Sequence, residues 1–179
     1  MITWLFNKAI NQTEHDTKYP ADYLRDVLGA SKMGFFKLML AFLTPHPKHA
    51  SKQLHQIAQL GAIQHESCGP CLEISKSFAI GAGVSETMVQ QLLVAPDSVE
   101  PIMRAAFLLG RHVAGGEPLS DAGQSLLEEE IGKHGLAELT VSAAAVRIYP
   151  ALKRGLGYAE MCAIPKQTLA EDIRERYSA

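Results

Sequence analysis

No stretch of this chain alternates β-branched and polar residues as a half-buried strand requires, whereas helical spacing of apolar residues recurs from end to end. The fold class is therefore all-α. Leu54, Ile57, Ala58 and Ala62 mark one helix between His49 and Ile63, and Ile102, Ala106, Leu109 and Val113 form the buried stripe of another. Glycine, proline and capping residues then place the helix ends. Tyr23, Leu24, Val27 and Leu28 form a short helix ended by Gly29. A second runs from Phe35 through Phe42 and stops before the break Thr44-Pro45-His46-Pro47. Gly81-Ala82-Gly83 ends a later helix, and Ser85 caps the next, Glu86 to Leu93. Asp97 or Ser98 is the expected cap of a helix reaching Val113, with Pro101 in its first turn. Gly115 to Pro118 makes a turn, and Ser120 or Asp121 starts another helix. The alanine-rich run from Leu136 to Leu156 reads as one long helix kinked at Pro150, and the charged end, Lys166 to Arg176, as weakly packed.

At 179 residues the chain suits a single helical domain, divided as an N-terminal helical extension (1–48), a core (49–157) and a C-terminal segment (158–179). A formal charge of −2 with no basic stripe argues against nucleic acid as a partner. Membrane spanning is not expected either, because the longest strongly apolar run, Met33 to Leu43, is interrupted by Lys37 and falls far short of the roughly 20 residues a span needs. The N-terminal Met1-Ile2-Thr3-Trp4-Leu5-Phe6 lacks the basic region and cleavage site of a secretory signal, and the three cysteines include only one close pair. Both features suit a reducing, cytoplasmic setting. Trp4-Leu5-Phe6 and Phe35-Phe36 offer apolar surface beyond what one domain must bury, which points to a homo-oligomer.

The close pair is Cys68-Gly69-Pro70-Cys71, placed where one helix gives way to the next. If Gly69-Pro70 opens the second helix, both thiols sit in the positive field of its N-terminus, which favours thiolate. Residues three apart in such a turn have Cα atoms roughly 5 Å apart, within reach of a disulfide, so the pair can open and close without moving a domain. Zinc is the competing reading, with His46, His49, His55 and His65 nearby, but there is no second C-x-x-C and no close histidine pair downstream. No metal or cofactor is therefore expected. A purely structural disulfide has little to offer, since so short a loop removes little unfolded-state entropy. Cys162 has no partner cysteine and reads as an inert, partly buried thiol.

A Gly-Pro between cysteines is similar to the thioredoxin motif, but that motif follows a buried strand and here a helix precedes it. What the arrangement resembles is the alkylhydroperoxidase D-like, or carboxymuconolactone decarboxylase-like, superfamily of all-helical proteins. A helix leads into C-x-x-C, the cysteine helix ends in Gly81-Ala82-Gly83-Val84-Ser85-Glu86, and a helical pair and a long alanine-rich helix follow, over residues 49–157. The resemblance implies a peroxidase-type dithiol on an oligomeric helical bundle. It also implies a relay, Glu-x(11)-Cys-x(2)-Cys-x(3)-His, with the sulfenic acid on the second cysteine. Cys68 and Cys71 match, but Gln56 and Ser75 stand at the Glu and His positions, and neither is a base near neutral pH.

His65 and Glu66, just before Cys68, are the nearest substitutes for that relay, and His49 lies on the same helix face as Gln56. The catalytic set expected from sequence is thus Cys68, Cys71, His65 and Glu66. Helix-dipole reasoning favours Cys68 as the more exposed attacking thiol, whereas the resemblance assigns peroxide attack to Cys71. The expected function is a thiol-dependent peroxidase or thiol–disulfide oxidoreductase, acting on a peroxide or disulfide and restored by a dithiol reductant, such as a partner protein. The alternative is a non-catalytic or redox-sensing oligomer whose site is degenerate. Lactone decarboxylation is more distant, because those members generally lack the paired cysteines.

Overall fold

The computed structural model describes residues 2–17, 19–42 and 48–162. All regular structure among them is helical: α1 (Ile2–Thr17), α2 (Asp22–Ala30), α3 (Lys32–Phe42), α4 (Lys52–His65), α5 (Gly69–Gly81), α6 (Glu86–Val94), α7 (Pro101–Val113), α8 (Asp121–Val146) and α9 (Ile148–Gly155). Two 3-10 turns, Pro96–Ser98 and Ala159–Cys162, complete the path. The all-α class and most helix ends agree with the sequence reading. The break at 44–47 and the charged tail at 166–176 lie outside the described residues. No helix among the described residues is long and apolar enough to cross a membrane.

Serine side chains start three helices by accepting the backbone N–H three residues on: Ser51 from Leu54, Ser85 from Met88 and Ser120 from Gly123. The expected cap of α7 is different. Ser98 donates its hydroxyl to the Ala95 carbonyl within the preceding 3-10 turn and Asp97 pairs with Arg104 of α7 at 2.6 Å, so neither caps the first turn of α7. Helix α7 begins instead at Pro101, which needs no donor partner in the first turn. The long helix expected over 136–156 is also two helices. Pro150 has no N–H, and its ring would meet the Val146 carbonyl, so the chain turns at Arg147 and restarts with Pro150 in the first turn of α9. Upstream, Gly132 adopts φ 66° and kinks α8, a conformation that residues with a Cβ rarely take. Helix α1 lies in the segment expected as an N-terminal helical extension (1–48), where the sequence marks an apolar patch but no helix bounds.

Two clusters of buried side chains hold the helices together. The larger surrounds α4, which packs on α5, α7 and α8, and includes Ile57, Leu60, Ile63, Leu72, Phe107, Leu127 and Leu139 together with both Cys68 and Cys71. At the α4–α7 contact the backbones meet at glycines. A Cβ at Gly61 would collide with the Phe107 carbonyl, and one at Gly110 with the Ala58 carbonyl. The smaller cluster joins Ile10, Tyr23, Leu24, Leu28 and Phe35 of α1–α3 to Tyr149 and Leu152 of α9 and to Tyr158. Helix α9 thus belongs with the N-terminal helices, although it directly follows the last helix of the larger cluster. The aromatic patch divides: Phe6 and Phe35 pack at 5.0 Å between ring centres, whereas Trp4 and Phe36 stay exposed.

Gly110→Ala should destabilise the fold by about 1–3 kcal/mol, the usual range for overpacking, because the obstacle is backbone that no rotamer change can move. Chemical denaturation of variant and parent checks this, and Gly155→Ala, where a Cβ meets open space, serves as the control.

Candidate functional site

The cysteines lie where α4 turns into α5. Helix α4 ends at His65, Glu66 caps it, and Ser67 takes φ 54°, unusual for a residue with a Cβ and sparsely populated outside turns. Cys68 is then the N-cap of α5 and Pro70 its second helical residue. Cys68 and Cys71 are joined, with Cα atoms 5.3 Å apart, as the three-residue spacing in a first turn allows. Helix α5 is closed at its other end by Gly83, whose neighbour Val84 donates to the Ala79 carbonyl.

Exposure corrects one expectation. Cys68 is not the more exposed thiol: it is 1 % accessible against 6 % for Cys71. Ser75, one turn beyond Cys71, is buried as well, and Gln56 presents a buried Oε1 without a hydrogen-bond partner. Among the described residues neither His65 nor Glu66 hydrogen-bonds a sulfur. His65 is exposed and faces Gly116 in the turn after α7.

Glu66 is engaged elsewhere. Its carboxylate accepts from Arg147 Nε and Arg154 Nη2, each at 2.6 Å, and its carbonyl from Arg154 Nη1 at 3.5 Å. Arg147 also donates to the Val113 carbonyl at 2.8 Å, tying the end of α7 to the same corner. Burial pushes the Glu66 carboxyl up, but the hydrogen bonds from Arg147 and Arg154 outweigh it and hold it below the usual carboxylate range. The raised pKa that would let Glu66 carry a proton near neutral pH is therefore not met.

The group that does reach a sulfur is Lys153 of α9. It is 3 % exposed, and its Nζ lies 3.8 Å from Cys71 Sγ and 5.2 Å from the centre of the Tyr23 ring. Nothing in its local sequence singles it out, because a lysine beside an arginine in the last turn of a helix is what the helix dipole alone favours.

The other histidines near α4 gather on Glu138 of α8. His49 Nδ1 lies 2.7 Å from its Oε1, the backbone N–H groups of Lys48, His49 and Ala50 donate to its Oε2, and the His134 ring sits 5.2 Å from that of His49. The hydrogen bond with His49, with those backbone donors, holds the Glu138 carboxyl at about 2. His55 is buried with its Nε2 3.6 Å from the same carboxylate, and burial pushes its imidazole below the usual range. His49 therefore serves the entry to α4. Among the described residues no three His, Cys, Asp or Glu side chains are grouped so as to hold a metal ion. Cys162 ends the last 3-10 turn, and its expected burial lies outside the described side chains.

Compared with models of protein families, with curated proteins and with solved structures, the chain matches none.

Glu66 titrates lower in the folded chain than in the unfolded one, so its contribution to stability is complete above the unfolded value of roughly 4.3 and is lost as pH falls through the folded one. Glu66→Gln should lower stability at pH 7 by on the order of 1–3 kcal/mol, as for hydrogen bonds between charged groups, and the gap to the parent should narrow below about pH 4. Urea denaturation at pH 7, 5 and 3.5 checks both the size and the sign.

Proposed function

We propose that the chain is a thiol–disulfide redox protein in which Cys68 and Cys71 cycle between dithiol and disulfide, with hydroperoxide as the favoured oxidant. The observation that carries the reading is the bonded pair at the N-terminus of α5, in an all-helical chain where a helix leads into the C-x-x-C. That order of elements also supports the alkylhydroperoxidase D-like resemblance. In the oxidative half, a thiolate attacks the hydroperoxide and forms an S–O bond, the O–O bond breaks, and the alkoxide leaves and takes a proton to become an alcohol. The second thiol then attacks the sulfenic acid, the S–S bond forms, and water leaves. A dithiol reduces the bridge and is itself oxidised to a disulfide.

A redox-sensing oligomer is the second reading, favoured by the burial of both sulfurs and by Gln56 and Ser75 at the relay positions. The two differ in rate: an enzyme consumes hydroperoxide repeatedly when a dithiol is supplied, whereas a sensor closes its bridge once per oxidation event. Exposed Trp4, Leu5, Phe36 and Leu40 on α1 and α3 support assembly with further copies in either case.

Mild oxidation should remove two hydrogens from the reduced protein, mapped by mass spectrometry to the Cys68–Cys71 peptide and reversed by dithiothreitol. A bridge involving Cys162, or two thiols left free, would defeat the proposal. Light scattering should return a mass well above that of one chain, and a monomer would remove the oligomeric part. His65→Ala tests the remaining histidine. If His65 moves the proton, hydroperoxide turnover falls at least about tenfold, the low end for general acid–base assistance, and an unchanged rate dismisses it.

A further inference from the structure

We infer that Lys153 is the acid–base partner of the dithiol: its ammonium stabilises the Cys71 thiolate, makes Cys71 the attacking sulfur, and supplies the proton that the leaving oxygen needs. This rests on the dithiol reading above and adds the residue that performs the proton chemistry.

A lysine is almost never fully buried unless something answers its charge, and Lys153, 3 % exposed at the seam between the two apolar clusters, holds its ammonium between an aromatic face and a sulfur. On one side its Nζ lies 5.2 Å from the centre of the Tyr23 ring, an attractive geometry for a cation, and on the other 3.8 Å from Cys71 Sγ. A disulfide sulfur is a weak acceptor, whereas a thiolate at the same place carries a full negative charge. The position is therefore better suited to the reduced pair than to the oxidised one.

Among the described residues Lys153 is the charged side chain hydrogen-bonded to a sulfur of the pair. Tyr23 of α2 and Cys68 of α5 face it or its sulfur partner. Asp26 of α2 accepts from the Tyr158 hydroxyl at 2.7 Å, and Tyr158 donates its backbone N–H to the Lys153 carbonyl. Tyr149, one turn earlier on α9, is pushed up to about 12 by burial and stays protonated. Glu66 is held by Arg147 and Arg154, and Glu160, in the 3-10 turn packed on α5 and α9, is exposed.

In the step itself, the Cys71 thiolate attacks the distal oxygen of a hydroperoxide, the O–O bond breaks, and the departing alkoxide takes a proton from the Lys153 ammonium. Sulfenic acid, alcohol and neutral amine result. The amine then takes the Cys68 proton as that sulfur closes on Cys71 and hydroxide leaves, to become water with a proton from solvent.

Thiol titration tests the lysine directly. In Cys68→Ser protein, where coupling between the two thiols is gone, the pH dependence of iodoacetamide labelling at Cys71, read by peptide mass spectrometry, should show its inflection clearly below the roughly 8.5 of an ordinary thiol. Adding Lys153→Met should raise that inflection by about 1 unit or more, as loss of an adjacent opposite charge does, while Lys153→Arg keeps it low. In protein with both cysteines, Lys153→Met should shift the equilibrium with a dithiothreitol couple toward disulfide by about tenfold, equal to about 30 mV for two electrons. Lys153→Gln gives the same comparison if methionine disturbs the helical circular dichroism.

An ordinary inflection in Cys68→Ser alone, or one unmoved in both Lys153→Met and Lys153→Gln, overturns the inference. That failure differs from failure of the dithiol reading, in which the parent forms no Cys68–Cys71 bridge under oxidant whatever the labelling profile shows.

Discussion

Glu66 is the small hinge on which the site turns. Its carboxylate binds one arginine at the corner between α8 and α9 and a second one along α9, so the turn that presents Cys68 is fixed to the helix that carries Lys153. The two arginines lie 81 and 88 residues from Glu66 in sequence, and nothing local could set that pairing. Both arginines are partly exposed while the carboxylate is buried, so the pair is screened on one side only. That matters because exposed ion pairs contribute little, typically under about 1 kcal/mol, whereas removing one partner of a buried charge leaves the other without compensation.

The corner exists because of Pro150. Were that residue able to donate, the helix could run from α8 straight on, and the face bearing Lys153 would follow the larger cluster's direction. Instead the chain breaks at Arg147, and Tyr149 and Leu152 of α9 pack with Tyr23, Leu28 and Phe35 in the cluster of the N-terminal helices. Two cores in contact leave a seam, and a seam tolerates what a core does not: a long aliphatic stem with a charge at its tip, set between an aromatic face and a sulfur.

This also explains what could be read beforehand. Helix class, the serine caps at Ser85 and Ser120, and the placement of the dithiol at a helix start are local properties, written in periodicity and in capping chemistry within a few residues. Sequence likewise marks Pro150 as an interruption, but not that the interruption becomes a turn one residue before the new helix. Glu66 reads as a substitute for the missing relay base, and nothing local singles out Arg147, Lys153 or Arg154, because burial of a charge is decided by partners far away. Helix α1 is legible only as part of a helical extension without bounds, because polar residues such as Asn7, Asn11 and Gln12 interrupt the stripe of Phe6 and Ile10.

Two electrostatic influences act on the sulfurs, and their sizes decide between them. The α5 N-terminus is shared, since Cys68 is the N-cap and Cys71 lies within the first turn, and a helix end is worth typically about 0.3–1 kcal/mol to a nearby anion. A unit charge near 4 Å from another, in the intermediate screening of a protein, interacts by roughly 4 kcal/mol before desolvation is counted. The helix end acts on both positions, while the Lys153 ammonium lies 3.8 Å from Cys71 Sγ. Of the two influences, the ammonium near Cys71 is the one that treats the sulfurs differently, and on the dithiol reading proposed above it is the source of any asymmetry between them.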